Sequence, residues 1–229
     1  MRKYFVIVLT FAAIMMTQCA QAGIINLWDS FPDHQGDNNL YALAYEYGSS
    51  TYRLLDENTA DQYSYLTPGN LFEVPQAARL EAYIHPNDPQ YNLPRRIHLH
   101  PATITQCVVP PHLPEDAVLA WKAPQDGICD ITGLFWEESS GPIDVYIKQG
   151  SSELWSASIG SYGNAAFTRN DIVVNKNDYL YFGIHAGSDD VYDWGRLLGQ
   201  IDYTPVPEPD SFLLLGTGLI PFLRRKFLK

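Results

Sequence analysis

The residues of this chain best suited to chemistry are aromatic, and the chemistry they suit is recognition. Five Trp and 15 Tyr are many for 229 residues. A sugar ring presents a flat C–H face that can lie on an aromatic ring, while its hydroxyls pair with Asp, Asn and Arg. Tyr and Trp combine an apolar body with a polar tip and serve both contacts. Trp136 shares a predicted strand face with Asp130 and Thr132, polar residues that imply exposure. Trp155 follows a turn in an edge-like segment, and Trp194 lies beside Asp193 in a loop. Along residues 40–47, Tyr41, Leu43, Tyr45 and Tyr47 occupy one face of an alternating strand, with Leu40, Ala42 and Ala44 on the other. The same rings can equally pack a core and close its ends, so Trp136, Trp155, Trp194, Tyr41 and Tyr45 stand as glycan-binding candidates beside that plainer role.

Metal chemistry has two candidate places. Asp189, Asp190 and Asp193 crowd a short loop, and hard oxygen ligands on a flexible segment suit Ca²⁺, although the spacing is not that of an EF-hand. A solvated acidic turn is the simpler reading. His98 and His100 share one face of a predicted strand, with His112 downstream. Two imidazoles can begin a Zn²⁺ site, but no third ligand is fixed by the spacing. No cofactor is required by any motif, and Ca²⁺ is the one candidate. Enzyme signatures are missing from the sequence: there is no G-x-S-x-G elbow, no H-E-x-x-H and no phosphate-binding glycine loop. Glu137 and Glu138 are adjacent, so on a strand they face opposite ways and cannot flank one glycosidic bond. The expectation is a protein without catalytic residues. A polysaccharide hydrolase or lyase would need two distant carboxylates to converge.

Short alternating runs punctuated by Gly, Pro, Asn and Asp must position these residues, and helical periodicity is nearly absent. Strands are expected at 40–47, 51–55, 71–74, 79–84, 95–100, 117–121, 128–137, 143–148, 153–159, 166–174, 179–185 and 197–203. Within 95–100, Ile97 and Leu99 point inward and Arg96, His98 and His100 outward. Residues 128–137 are expected to return from the Asp126-Gly127 turn as the hairpin partner of 117–121. Ile143, Val145 and Ile147 oppose Asp144, Tyr146 and Lys148, while Leu180, Phe182 and Ile184 oppose Tyr179, Tyr181 and His185. The expected fold is all-β, a two-sheet antiparallel β-sandwich of jelly-roll type. A signal helix precedes it and a short hydrophobic helix follows.

Both ends of the chain read as targeting segments. Arg2-Lys3, an apolar run over 4–16 and Ala20-Gln21-Ala22 form a secretory leader, with cleavage expected before Gly23 by signal peptidase. Cys19 follows Gln18 where a lipoprotein signal wants a small residue. At the other end, Pro207-Glu208-Pro209 is followed by an apolar run over 212–223 and then Arg224-Arg225-Lys226. The prolines keep the junction extended, and the basic cluster orients the segment with its end in the cytoplasm. This tail resembles the PEP-CTERM sorting signal of Gram-negative bacteria, which a membrane protease called exosortase recognises. The apolar run falls short of the ~20 residues of a self-sufficient span, and Pro221 interrupts it, which suits transient insertion better than permanent anchoring. The organisation is thus a signal peptide over 1–22, a β-sandwich over 23–203 and a sorting tail over 204–229.

Removing the leader and tail sharpens the charge. Of 15 basic and 26 acidic residues the leader takes two basic, and the tail from Pro207 takes four basic and two acidic, leaving nine basic and 24 acidic in the body, net −15. Such a body excludes nucleic acid and anionic membrane surfaces as partners. Cys107 and Cys129 remain after leader removal, and an oxidising compartment favours their pairing over two buried thiols.

The segments Trp121–Gly127, Ile131-Thr132-Gly133, Asp144–Ile147 and Ile97–Pro101 resemble secreted β-sandwich modules of the carbohydrate-binding-module type. That resemblance implies an architecture and no catalytic residues. The expected protein is exported, briefly held in the inner membrane, sorted by exosortase, and active at the cell surface or in the exopolysaccharide matrix. There it binds glycan or serves as a structural or adhesive component.

Overall fold

The computed structural model describes residues 22–46, 50–59, 62–64, 76–80, 95–101, 115–137, 141–185 and 195–206. The leader, the sorting tail, Cys107 and the segment carrying Asp189, Asp190, Asp193 and Trp194 lie outside them. Strands in chain order are β1 (Gly23–Asn26), β2 (Leu40–Glu46), β3 (Thr51–Leu54), β4 (Asp56–Thr59), β5 (Gln62–Ser64), β6 (Gln76–Leu80), β7 (Arg96–His100), β8 (Glu115–Lys122), β9 (Gly127–Glu137), β10 (Ile143–Gln149), β11 (Ser152–Ile159), β12 (Asn164–Val174), β13 (Tyr179–Ile184) and β14 (Gly195–Pro205). Among the described residues the one helical element is a 3-10 turn at Asp37–Asn39.

These strands make two antiparallel sheets. One has the order β12-β9-β14-β7-β6-β5-β4, with β1 also paired to β14; the other has the order β11-β10-β13-β8-β2-β3. Alternation decides which side of each strand is buried. From the six-stranded sheet, Leu40, Ala42, Ala44, Leu119, Trp121, Val145, Ile147, Leu180, Phe182 and Ile184 point inward. They meet Ile97, Leu99, Ile131, Phe135, Phe167, Leu197, Ile201 and Tyr203 of the eight-stranded sheet. The expected β-sandwich is what forms.

Pairing differs from expectation in one respect. β8 and β9 are not a hairpin, because β8 pairs with β13 and β2 whereas β9 pairs with β12 and β14. The chain after Lys122 crosses from one sheet to the other. A second crossover, from β12 to β13, lies against it. Ala123 N–H donates to Asp178 O at 2.8 Å, Asn177 N–H to Ala123 O at 2.8 Å, and Lys176 N–H to Asp126 Oδ1 at 2.7 Å. Turn chemistry marks where a strand stops; it does not say to which sheet the next strand goes. The β10–β11 hairpin forms as expected, and its turn needs glycine, since Gly150 sits at φ +57°. β1, β4 and β5 were not anticipated. The strand expected at 79–84 is described only as far as Leu80 and starts earlier, at Gln76. The strand expected at 71–74 lies outside the described residues.

Candidate functional site

The outward face of the six-stranded sheet carries a second hydrophobic cluster. Leu43, Val118, Ala120, Tyr146 and Tyr181 are its buried members, and Tyr41, Tyr45, Tyr52 and Tyr179 pack against them. Register explains the assembly. Across the sheet, Tyr146, Gly183, Val118, Leu43 and Leu54 fall in one row. Lys148, Tyr181, Ala120 and Tyr41 fall in the next. Asp116, Tyr45 and Tyr52 form a third. Small residues at the centre of the middle strands make a low floor, and tyrosines from both flanks lean over it. Tyr52 and Tyr181 stack at 4.0 Å with 2° between their planes, and Tyr181 and Tyr179 at 5.6 Å with 11°. Tyr41 meets Tyr179 edge-on at 5.8 Å, and Tyr45 meets Tyr52 at 4.9 Å. Burial, then the neighbouring phenols, pushes the Tyr52 and Tyr181 hydroxyls upward. Both stay protonated donors at neutral pH.

A polar chain is built into one end of this face. Asp116 is fully buried, although its side chain points away from the main core. Its carboxyl accepts from Tyr146 Oη at 2.8 Å and faces His185 Nδ1 at 3.1 Å. The Asp116 hydrogen bond holds the His185 pKa above its ordinary value; burial and Lys148 oppose, while the charges of Asp116 and Asp144 assist. A raised histidine pKa stabilises the fold most below the unfolded-state value of about 6.5. The contribution is lost as pH rises through the folded value. Asp116→Asn should therefore drop the His185 pKa to the ordinary value or below, and should remove this part of the pH dependence of stability. Histidine ring-proton shifts across a pH titration check this; an unmoved His185 would show that Asp116 does not set its charge.

Two shallow depressions border the tyrosines. One, of about 380 Å³, is lined by Asp144, Tyr146, Lys148, Glu153, Ser156 and His185 among others. The other, of about 480 Å³, lies where the 149–152 and 177–178 turns meet Tyr179 and Tyr181. Both open widely to solvent. The arrangement offers aromatic surface, phenol hydroxyls, ammonium groups and serine hydroxyls side by side, which suits an extended polar polymer better than an enclosed small molecule.

Among the sequence candidates, Tyr41 and Tyr45 lie together on this face. Trp136 is half-buried on the outward side of the other sheet, in register with Arg196 and Asn164. Trp155 sits on the edge strand β11, but its ring turns inward, stacked on Phe135 at 6.0 Å and 9° and packed against Phe167. Its role is packing at the margin of the core, because strand alternation places it on the inner face. Trp194, Asp189, Asp190 and Asp193 lie outside the described residues, as do Ala20, Cys107, Pro207, Glu208, Pro209, Arg224, Arg225 and Lys226. Ala22 and Gly23, at the expected leader cleavage point, begin the described chain, with Gly23 opening β1.

His98 is buried rather than solvent-facing, and so is Arg96. Arg196 Nη1 contacts His98 Nδ1, which occupies a nitrogen that a metal would need. Burial, then Arg196, depresses the His98 pKa, and burial also lowers that of His100. Cationic guanidinium neighbours disfavour Zn²⁺ there. Among the described residues no group of three or more His, Cys, Asp or Glu converges as a metal site. Cys129 is a buried thiol whose pKa burial and nearby acids push up to about 12, an inert state.

The residues missed as candidates are Tyr52, Tyr146, Tyr179, Tyr181, Lys122, Lys148, Asp116 and His185. Alternation already placed Tyr146, Lys148, Tyr179, Tyr181 and His185 outward. No local signal could tell that β10, β13, β8, β2 and β3 lie side by side.

No family model matches the chain, and no curated protein matches it. Among solved structures, the chain is similar to the CBM22-1 xylan-binding domain of Paenibacillus barcinonensis Xyn10C, at 8% identity and TM-score 0.38, covering 82% of this chain and 100% of that one. It is also similar to a carbohydrate-binding module CBM36 in complex with calcium and xylotriose, at 11% identity and TM-score 0.29, covering 62% and 98%. A Stig cyclase from Fischerella sp. TAU aligns at 9% identity and TM-score 0.40, covering 64% and 86%. Likeness this distant carries no ligand and no activity over to the present chain.

Proposed function

We propose that this protein is an exported, non-catalytic glycan-binding β-sandwich that works at the cell surface or in an exopolysaccharide matrix, and that the tyrosine face is its binding surface. The observation that carries this reading is the gathering of Tyr41, Tyr45, Tyr52, Tyr146, Tyr179 and Tyr181 on one outward sheet face. An ordinary outward face would be mostly charged and Thr or Ser. Because the rings stack on one another, a bound polysaccharide meets phenol hydroxyls and ring edges first, with the half-buried Tyr41, Tyr45, Tyr52 and Tyr179 giving the most accessible aromatic surface. Ca²⁺ enters only through the 188–193 segment, so binding should be measured with and without it.

Screening the full chain against a polysaccharide panel should find saturable binding. Truncating an aromatic anchor typically costs 2 kcal/mol or more, so Tyr179→Ala should weaken it roughly 30-fold. Binding that survives Tyr179→Ala and Tyr41→Ala unchanged would move the site elsewhere, with Trp136 the next place to look. One observation favours a second reading. Tyr146 and Tyr181 are only 6% and 9% exposed, so the layer also stiffens the sheet. Silence across the panel would leave a structural matrix role.

Export and sorting are part of the same proposal. They rest on the leader and on Pro207-Glu208-Pro209, the 212–223 run and Arg224-Arg225-Lys226. Among the described residues no helix is long and apolar enough to cross a membrane, and the tail lies outside them. Intact-mass measurement of the exported protein should give a chain beginning at Gly23 and ending near the Pro207-Glu208-Pro209 motif. If Cys107 and Cys129 pair, its mass lies about two units below that of the reduced form, the two thiol protons lost on S–S formation. A chain that retains its last residues would remove the sorting assignment, and an unchanged mass on reduction would remove the disulfide.

A further inference from the structure

The polar groups of the tyrosine face are used unevenly. Its carboxyls are engaged within the protein. Asp116 serves Tyr146 and His185, Glu153 accepts from Ser156 Oγ at 2.6 Å, and Asp144 accepts from Ser158 Oγ. Asp178 caps the Asn175 turn through bonds of 2.9 and 3.1 Å. Its ammonium groups are not so engaged. Lys122 and Lys148 are half-buried, and neither reaches a carboxyl among the described residues. Their charges lie instead against rings. Lys148 Nζ is 4.1 Å from the Tyr146 centroid and 5.7 Å from that of Tyr45, and Lys122 Nζ is 5.6 Å from that of Tyr179.

An ammonium held against an aromatic ring keeps donors to spare, since the ring quadrupole attracts the charge without consuming its N–H groups. The two lysines stand on β8 and β10, on either side of β13, the strand that carries the Tyr179–Tyr181 stack. A polymer lying across that stack passes both. It meets ammonium donors with capacity to spare on both sides, and the ligand group that answers them is an acceptor bearing negative charge. Asp144 and Glu153 share the depression beside Lys148 and oppose an anionic group there, whereas the acidity of the rest of the body opposes it only weakly. At physiological ionic strength charges more than about 8 Å away are largely screened, whereas contact pairs are not.

We propose that the ligand of the tyrosine face is an acidic polysaccharide, its sugars bearing carboxylate or sulfate groups that pair with Lys122 and Lys148. This inference rests on the tyrosine face being the binding surface.

Affinity electrophoresis of the full chain at physiological salt, against matched polymers, tests it. The pairs are polygalacturonate with its methyl ester, and dextran sulfate with dextran. The acidic member of at least one pair should retard the protein more strongly than its neutral partner, and which pair responds tells carboxylate from sulfate recognition. Combining Lys122→Gln with Lys148→Gln should weaken binding to that polymer about tenfold or more, the loss expected for charge-assisted contacts. An unchanged melting temperature establishes that the variant is folded. Equal binding of both members of each pair overturns the charge preference and leaves the tyrosine face standing. A preference that survives the double substitution overturns the assignment to these lysines. Binding to none of the polymers overturns both this inference and the reading it rests on.

Discussion

Trp121→Ala will cost about 3–5 kcal/mol of stability, the range for emptying a large aromatic site in a core. Trp121 is fully buried on the inner face of β8 and is among the largest enclosed side chains. It bridges the two sheets, meeting Tyr203 of β14 edge-on at 5.3 Å. Its backbone neighbours in the sheet are Leu40 and Leu180, themselves in the core, so no flexible surface group can collapse into the space. For a domain of this size the melting temperature should fall on the order of 10 °C. The indole also carries a penalty of its own. Trp121 Nε1 is buried without an acceptor, and an orphaned buried donor costs about 1–3 kcal/mol. Trp121→Phe keeps most of the volume and removes that donor, so it should cost less than half as much as alanine. Chemical denaturation of both variants measures the difference. A phenylalanine variant as unstable as the alanine one would mean that the indole N–H is satisfied after all.

Gly183→Ala should cost about 2–4 kcal/mol by overpacking and by breaking a buried hydrogen bond. The clash is with a side chain. A β-carbon at position 183 would lie 2.3 Å from Tyr146 Cζ and 2.5 Å from its hydroxyl. Tyr146 stands on β10 and Asp116 on β8, with β13 between them. The phenol can reach Asp116 only by lying across β13, and only a residue without a side chain lets it pass. Alanine there would lift Tyr146 off the sheet, strip Asp116 of a side-chain partner, and disturb the layer that Tyr181 and Tyr52 complete. A double-mutant cycle isolates this cause. In a Tyr146→Ala background the same Gly183→Ala change should be neutral or mildly stabilising, because alanine otherwise suits a strand interior better than glycine. If the cost persists without Tyr146, the obstacle is the backbone and not the phenol.

Both substitutions act on positions whose strand was legible and whose importance was not. The expected strand at 117–121 ends on Trp121, yet nothing local says that it meets Tyr203 from the opposite sheet. Gly183 reads as a weak point in a strand. Its purpose appears only once Tyr146 is seen to cross it. The histidines show the converse error. Alternation places His98 outward with Arg96, and that is its face, but β7 is an interior strand of its sheet and the row is buried. Facing away from the core and facing water are different conditions, and strand period reports only the first.

By itself, the sequence determined the all-β class, the positions of most strands in its second half, and the inward and outward sides of β2, β10 and β13. These are local properties, because alternation, turn residues and hydrophobic runs act within a few residues of one another. Tertiary structure alone decided that β8 and β9 part to different sheets, that Trp155 turns into the core, and that tyrosines from four strands meet on one face around Asp116. Each depends on which strands pair across long stretches of chain. That pairing is settled by the packing of the two sheets as a whole, and no short window of residues contains it.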